Sequence, residues 1–231
     1  MAARRLELVL ESRQGRTPLS FTAERLVVAG WVGKDREALR RHIEELGRLG
    51  VPAPSRTPTY MSLWPAILTT AEEIEVTGPE SSGEVECVLL RENGRLYVGV
   101  GSDHTDRGFE KHDIPASKQM CGKPLAAAVW DLDDVRGHLD RLILRSWSTR
   151  QGRRRLYQEG ALAANRGVLE LLQGIPEEAD PRSGSLVLFC GTFAARDGIE
   201  TGELFEFEME DPVTGRRIAH RYRIRRLPQF L

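Results

Sequence analysis

Lysine is scarce in this chain. Of 33 basic residues only Lys34, Lys111, Lys118 and Lys123 are lysine, and the remaining 29 are arginine. Against that bias each retained lysine draws notice. Long apolar runs are missing too. No stretch approaches the roughly 18 residues that a membrane-spanning helix needs, so none is expected. Met1–Glu11 carries two arginines but no continuous apolar segment and no small-residue cleavage site, which predicts no secretory signal. Cysteine occurs three times, at Cys87, Cys121 and Cys190. An odd number at such wide spacing makes neither a disulfide framework nor a CxxC zinc pattern. Reduced thiols in a cytoplasmic protein are the expectation. A surplus of either charge is also lacking: the formal net charge is -1. No global field would recruit nucleic acid or an anionic membrane.

What is present is ordinary for a globular protein, with 40% hydrophobic and 29% charged residues in 231. That length allows one large domain, or a main domain with a small appendage. Residues 4–11 alternate as a strand, and 18–32 read as mixed strand and loop. Lys34-Asp35 opens a helix to about Leu49, with Leu39, Ile43, Leu46 and Leu49 on one face and Gly50 at its end. Three prolines in 51–59 then suggest a linker. Residues 1–57 are expected as a small N-terminal α/β lobe and 58–231 as the main domain.

From residue 72 the period becomes two. Short strands are predicted at 74–76, 84–90 and 96–100, the last two joined by a hairpin turn at Asn93-Gly94. Further strands are expected at 126–130, 142–147, 155–157 and 185–190, and a hairpin pairs 204–209 with 217–224. Helices are expected at 133–140 and 161–173. The fold class is α+β, mainly β.

The chemistry concentrates between residues 80 and 125. Glu84 and Glu86 stand two apart on a predicted strand, so both carboxylates project from one face. The bland reading is a strand with one wet face. The hairpin adds Asp103, carried by the returning strand toward the same place. Three buried carboxylates repel unless a cation joins them, and a hard divalent ion takes oxygen ligands of this kind. Gly99 and Gly101 permit a close approach of backbone or ligand. A polar stretch follows, Ser102-Asp-His-Thr-Asp-Arg107, and then Lys118-Gln-Met-Cys-Gly-Lys-Pro124, in which Lys123 before Pro124 reads as a turn cap.

Glu84-x-Glu86, Asp103-x-x-x-Arg107 and Lys118, in that order, resemble the core of the fumarylacetoacetate hydrolase superfamily. The likeness continues in the strand ending at Trp147, in Gln158-Glu-Gly160, and in Gly184–Thr192, and spans roughly residues 58–224. The strings GSDHTDR and SKQMCGKP are similar to a related bacterial family of unknown function. The resemblance implies a mixed β roll and a site for Mg2+, Mn2+ or Ca2+ held by Glu84, Glu86 and Asp103. It implies a small-molecule carboxylate substrate and a homodimer, while the net charge of -1 leads to the expectation of no nucleic acid or membrane partner. The metal would stabilise an enolate of a 2-oxo acid or 1,3-dicarbonyl as a C–C bond is hydrolysed or the acid decarboxylated. An isomerase or tautomerase using the same enolate, or a non-catalytic small-molecule-binding protein, are the alternatives.

In that frame Lys118 would stabilise the developing oxyanion or protonate the carbanion. Arg107 would orient a substrate carboxylate, or else form an internal salt bridge to Asp103 or Asp106. Thr192 and the Gly191 amide would hold a carboxylate, with Tyr60 and Gln158 lining the pocket. His104 is a weaker candidate near the substrate. The sequence departs from the family where Phe193 replaces a proline and Met120-Cys121 replaces an aspartate segment. No counterpart of the family's water-activating His–Glu pair is identified. The arginine runs at 150–155 and 216–226 read as solvated faces or salt bridges.

Overall fold

A computed structural model describes residues 3–48, 50, 52–180 and 182–230, apart from the side chains of His42, Glu45 and Leu46. Met1, Ala2 and Leu49, which entered the readings above, lie outside the described residues. In chain order the elements are β1 (Arg4–Ser12), β2 (Gly15–Ala23), β3 (Arg25–Gly30), α1 (Arg36–Arg48), β4 (Thr59–Leu63), β5 (Leu68–Thr69), β6 (Glu73–Val76) and β7 (Ser81–Ser82). Then come β8 (Val85–Glu92), β9 (Arg95–Ser102), β10 (Thr105–Asp106), α2 (Arg107–Glu110), α3 (Ile114–Gln119), β11 (Lys123–Pro124), β12 (Ala128–Asp131) and α4 (Leu132–Val135). The chain closes with β13 (Ile143–Arg150), β14 (Arg153–Ala161), α5 (Val168–Gly174), β15 (Leu186–Phe189), β16 (Leu204–Asp211) and β17 (Arg216–Arg226). Strand makes up 47% of the chain and helix 19%, so the mainly β class holds.

Two sheets organise the molecule. One runs β2-β1-β12-β9-β8-β15-β3-β4 and curls; the other runs β14-β13-β16-β17-β6. Alternation along β8 sends Val85, Cys87 and Leu89 into the core that also takes Phe205, Phe207, Met209 and Tyr222 from the second sheet. Val88 and Leu90 face a second core inside the curl, with Leu6, Leu8 and Phe21. Both faces of the central strands are therefore buried, which explains their near-continuous apolar runs.

The segment 1–57, expected as a lobe of its own, contributes its strands to the larger sheet. β1 pairs parallel with β12, and β3 pairs parallel with β15. Each pairing joins residues more than a hundred apart, which local pattern does not reveal. Residues 18–32 hold the end of β2 and all of β3, broken by a bend at Glu24 and leaving the strand at Trp31 and Val32, in keeping with the mixed strand and loop expected. The helix expected over 161–173 begins only at Val168, because β14 extends to Ala161 against Ile143. A short 3-10 turn follows, and the Asn165 amide donates to the Gly191 and Thr192 carbonyls (3.5 and 3.2 Å). The helix expected over 133–140 divides into α4 and a 3-10 segment, Arg136–Arg141.

The hairpin that carries the site forms as its turn residues demand. Asn93 and Gly94 both have positive φ, 50° and 76°, the geometry of a two-residue turn matched to strand twist. The register pairs Val85 with Ser102 and Glu86 with Gly101. Asp103 then continues one residue beyond the ladder, its amide donating to the Glu84 carbonyl at 2.9 Å. The arginine runs lie on strands and pair across them, Arg154 with Glu206 (2.6 Å) and Arg217 with Glu208 (3.3 Å).

Gly101 is hemmed in by protein and not by a ligand. A Cβ there would meet Leu125 Cδ2 at 2.8 Å, Phe189 Cε1 at 2.9 Å and the Pro124 carbonyl at 2.9 Å. Gly101→Val is expected to destabilise the fold by about 1–3 kcal/mol through overpacking. A urea titration with an unchanged midpoint would overturn this account of the hairpin's seat.

Candidate metal centre

Glu84, Glu86 and Asp103 meet at the open end of the β8–β9 hairpin. One carboxylate oxygen from each lies within 4.8 Å of the others. Glu86 and Asp103 are buried and Glu84 nearly so. The two short helices after β10 bring up the cations. Asp106 caps α2 through the Phe109 amide at 3.0 Å, and Asp113 caps α3 through the Ala116 amide at 2.8 Å. α3 carries Lys118 inward. Its Nζ donates to Asp103 Oδ2 at 2.5 Å, to Glu84 Oε2 at 3.0 Å and to Thr105 Oγ1 at 3.3 Å.

Arg107 clamps the other side of Glu84. Its Nη2 stands 3.0 Å from Glu84 Oε1, its Nη1 3.0 Å from Glu110 Oε2, and its Nε donates to Ser82 Oγ at 2.7 Å. The salt bridge weighed from sequence thus exists, but to Glu84 and Glu110 in place of Asp103 or Asp106. The Gly191 amide, expected to face a substrate carboxylate, donates to Glu86 Oε2 at 2.7 Å. Thr192 Oγ1 donates to the Val85 carbonyl at 2.8 Å and accepts from Gln158 Nε2 at 2.7 Å. Gln158 Oε1 in turn accepts from the Val85 amide. Thr192 and Gln158 therefore anchor the strand that bears the carboxylates. Tyr60 lies elsewhere, donating to the Leu171 carbonyl at 3.0 Å. His104 Nδ1 is 2.8 Å from the Tyr222 hydroxyl, while its buried Nε2 has no partner among the described residues. Burial, with Lys123 and Arg107 nearby, pushes its pKa well down and keeps the ring neutral.

Sequence reasoning passed over Lys123 as a turn residue. It is fully buried, its Nζ donating to the carbonyls of His104 (2.7 Å), Cys121 (3.0 Å) and Lys118, and standing 3.3 Å from Asp103 Oδ1. One buried ammonium thus ties the loop after β9 to the turn after α3. The only sequence signal was its survival in an arginine-biased chain.

The electrostatics divide the carboxylates. Burial alone would raise Glu84, but Arg107 and Lys118 outweigh it and hold the carboxyl at about 2. Glu86 goes the other way. Burial, then the charges of Asp103 and Glu84, lift it well above the usual 4.5. Burial disfavours charge on Lys118 as well, yet Asp103 and Glu84 keep its pKa above the ordinary lysine range.

The residues fit a hard divalent cation. Three carboxylates converge, Asp103 Oδ1 is buried without a hydrogen bond, and burial together with the charges of Asp103 and Glu84 disfavours a lone charge on Glu86.

A family model matches residues 29–222, described as "Protein of unknown function (DUF2848)". The chain belongs to the DUF2848 family. No curated protein matches this DUF2848 chain. Its fold matches solved structures at low identity. A structure of Cg1458 gives a TM-score of 0.64 at 14% identity, covering 98% of this chain and 100% of that one. 2-Keto-3-deoxy-D-arabinonate dehydratase, complexed with magnesium and 2,5-dioxopentanoate, gives 0.60 at 17%, covering 90% and 74%. Maleylpyruvate hydrolase from Sphingobium sp. SYK-6 gives 0.58 at 13%, covering 92% and 78%. The dehydratase and the hydrolase are enzymes of the fumarylacetoacetate hydrolase superfamily, and this DUF2848 chain has their fold. Among the described residues no helix is long and apolar enough to cross a membrane.

Lys118 competes with a dication for the same carboxylates. Lys118→Met is therefore expected to bind Mn2+ about tenfold more tightly than wild type by calorimetry. Equal or weaker binding by the folded variant would refute the competition. In the metal-free protein, Glu86 carries a raised folded pKa, so the native state holds the extra proton and stability falls as pH rises above 4.5. Glu86→Gln should then gain melting temperature over wild type at pH 8 and not at pH 4. Removing Lys123 strips a buried carboxylate of a cation. Lys123→Met is expected to lose about 3 kcal/mol or more in denaturant unfolding.

Proposed function

We propose that this protein is a divalent-metal-dependent enzyme acting on a 2-oxo acid or 1,3-dicarbonyl through an enolate, breaking a C–C bond by hydrolysis or decarboxylation. The convergence of Glu84, Glu86 and Asp103, with Lys118 Nζ against two of them, carries the reading. The shared fold supports it, since the solved relatives include a dehydratase bound to magnesium and 2,5-dioxopentanoate and a maleylpyruvate hydrolase. Glu84, Glu86 and Asp103 would hold Mg2+, Mn2+ or Ca2+, which supplies Lewis-acid stabilisation of the enolate when bound.

The roles of the protein groups follow from their environments. Lys118 keeps its proton firmly, so it serves as a fixed positive charge at the developing oxyanion better than as a proton donor. Arg107 holds Glu84 in place. It can offer its fork to a substrate carboxylate once Glu110 gives way, because the two charges share one guanidinium. Glu84, Arg107 and Glu110 retain slight exposure where Asp103 has none. Substrate would enter from their side.

An isomerase or tautomerase remains the second reading. It uses the same enolate and needs no activated water, and neutral His104 is buried against Tyr222 rather than turned to the carboxylates.

Metal content and thermal shift with Mg2+, Mn2+ and oxalate, a mimic of a chelating 2-oxo acid, test the proposal. Wild type should rise by several degrees with metal and further with oxalate, and the Glu84→Ala/Glu86→Ala variant should show neither. A folded wild type that ignores both would overturn the metal reading and leave a binding protein. With an active substrate in hand, deuterium uptake from D2O without fragments would favour isomerisation over cleavage.

A further inference from the structure

The molecule is nearly neutral overall, yet its arginines are not evenly spread. Between α1 and α5 lie two neighbouring cavities of about 560 and 270 Å3. Lys34, Arg36 and Arg40 line the first, Arg56 lines the second, and Arg166 and Glu170 line both. Five cations thus face one carboxylate. Among the described residues Arg36, Arg40 and Arg56 have no ion pair, while Lys34 reaches Asp140 only at 3.5 Å across exposed surface. Cations gathered in a concave wall raise the local potential well beyond what the net charge suggests.

Arg166 is the centre of this arrangement. It also lines a third cavity, of about 420 Å3, whose wall includes Asn165 and Cys190. The backbone around it is fixed: its amide donates to the Val32 carbonyl at 2.8 Å, and Asn165 bridges to Gly33. The guanidinium is only partly engaged. Nη1 donates to Glu170 Oε1 at 2.9 Å, whereas Nε is buried and has no hydrogen-bond partner among the described residues. A buried donor without a partner is unfavourable unless something occupies it, and an arginine fork in that state suits a bidentate oxyanion. Little further ordering would be needed for Arg166 to bind one, because its backbone is already held.

We propose that the cleft between α1 and α5 is a binding site for the oxyanion group, phosphate or carboxylate, of a small molecule, with the Arg166 fork as its anchor and Arg40 and Arg56 on its walls. The site is separate from the three carboxylates. None of the three lines the cleft; Cys190 walls only the third cavity, which shares Arg166 with the cleft, and the next residue, Gly191, donates to Glu86. The inference stands on the cleft alone and does not depend on the metal reading.

Isothermal titration of the metal-free protein with inorganic phosphate, and separately with malonate, at constant ionic strength tests it. Saturable binding of either probe is expected, and the tighter one names the group. Arg166→Gln should weaken it by about tenfold or more, and Arg166→Lys, which keeps charge but not the fork, by less. Arg155→Gln, on the exposed end of β14, should change nothing. Glu170→Gln should tighten binding, because it removes the competing carboxylate and frees Nη1. A variant that merely loosened the fold would not do that. No saturable binding of either probe, or equal affinities in wild type and Arg166→Gln, would overturn the proposal, as would weaker binding in a folded Glu170→Gln.

Discussion

Asp103 is held between two ammonium groups, and the neighbourhood of the hairpin is arranged around that contact. Lys118 stands 2.5 Å from one carboxylate oxygen and Lys123 3.3 Å from the other. Charges cannot be taken out of water singly, because desolvation outweighs what isolated contacts return. The protein therefore moves them together: Glu84 goes in with Arg107 and Lys118, and Asp103 with both lysines. Lys123 adds a mechanical role, since its three carbonyl contacts close the loop that delivers Lys118. Glu86, left with a backbone amide and two anionic neighbours, is the group on which charge is least favoured.

This arrangement needs a rigid floor. β8 and β9 supply it because both of their faces are covered, one by the second sheet and the other by the curl of their own. Thr192 and Gln158 add hydrogen bonds to Val85, just before Glu86. Groups that looked like substrate contacts are thus tied into the backbone that fixes the carboxylates. Such supporting bonds set ligand direction as much as the ligands do.

The near-zero net charge conceals an uneven spread: carboxylates matched by buried cations in one place, and cations in excess in another. Carboxylates concentrate at the hairpin's open end, while arginines concentrate around Arg166. A divalent cation would be drawn to the first and, on the proposal above, an oxyanion to the second. The arginine-rich strands of the second sheet belong to neither. Arg145, Arg154 and Arg217 meet glutamates across the ladder, and Arg153 and Arg155 are exposed, a face part paired and part solvated.

The sequence by itself determined the local geometry. Asn93-Gly94 dictated a two-residue turn, alternation dictated the faces of β8 and β16, and the spacing of Glu84 and Glu86 directed both carboxylates one way. The predicted helix after Lys34 likewise needed only Asp35, whose side chain accepts the amides of Glu37 and Ala38. Only the tertiary structure decided the rest. Nothing local joins β1 to β12 or β3 to β15, shortens the helix at 161–173, or converts Lys123 from a turn residue into a buried cation. Nor does it gather Arg40, Arg56 and Arg166 around one cleft. Turn and strand signals depend on backbone preferences within a few residues. Parallel pairing and buried charge depend on contacts between distant ones, whose energies appear only when the chain has closed on itself.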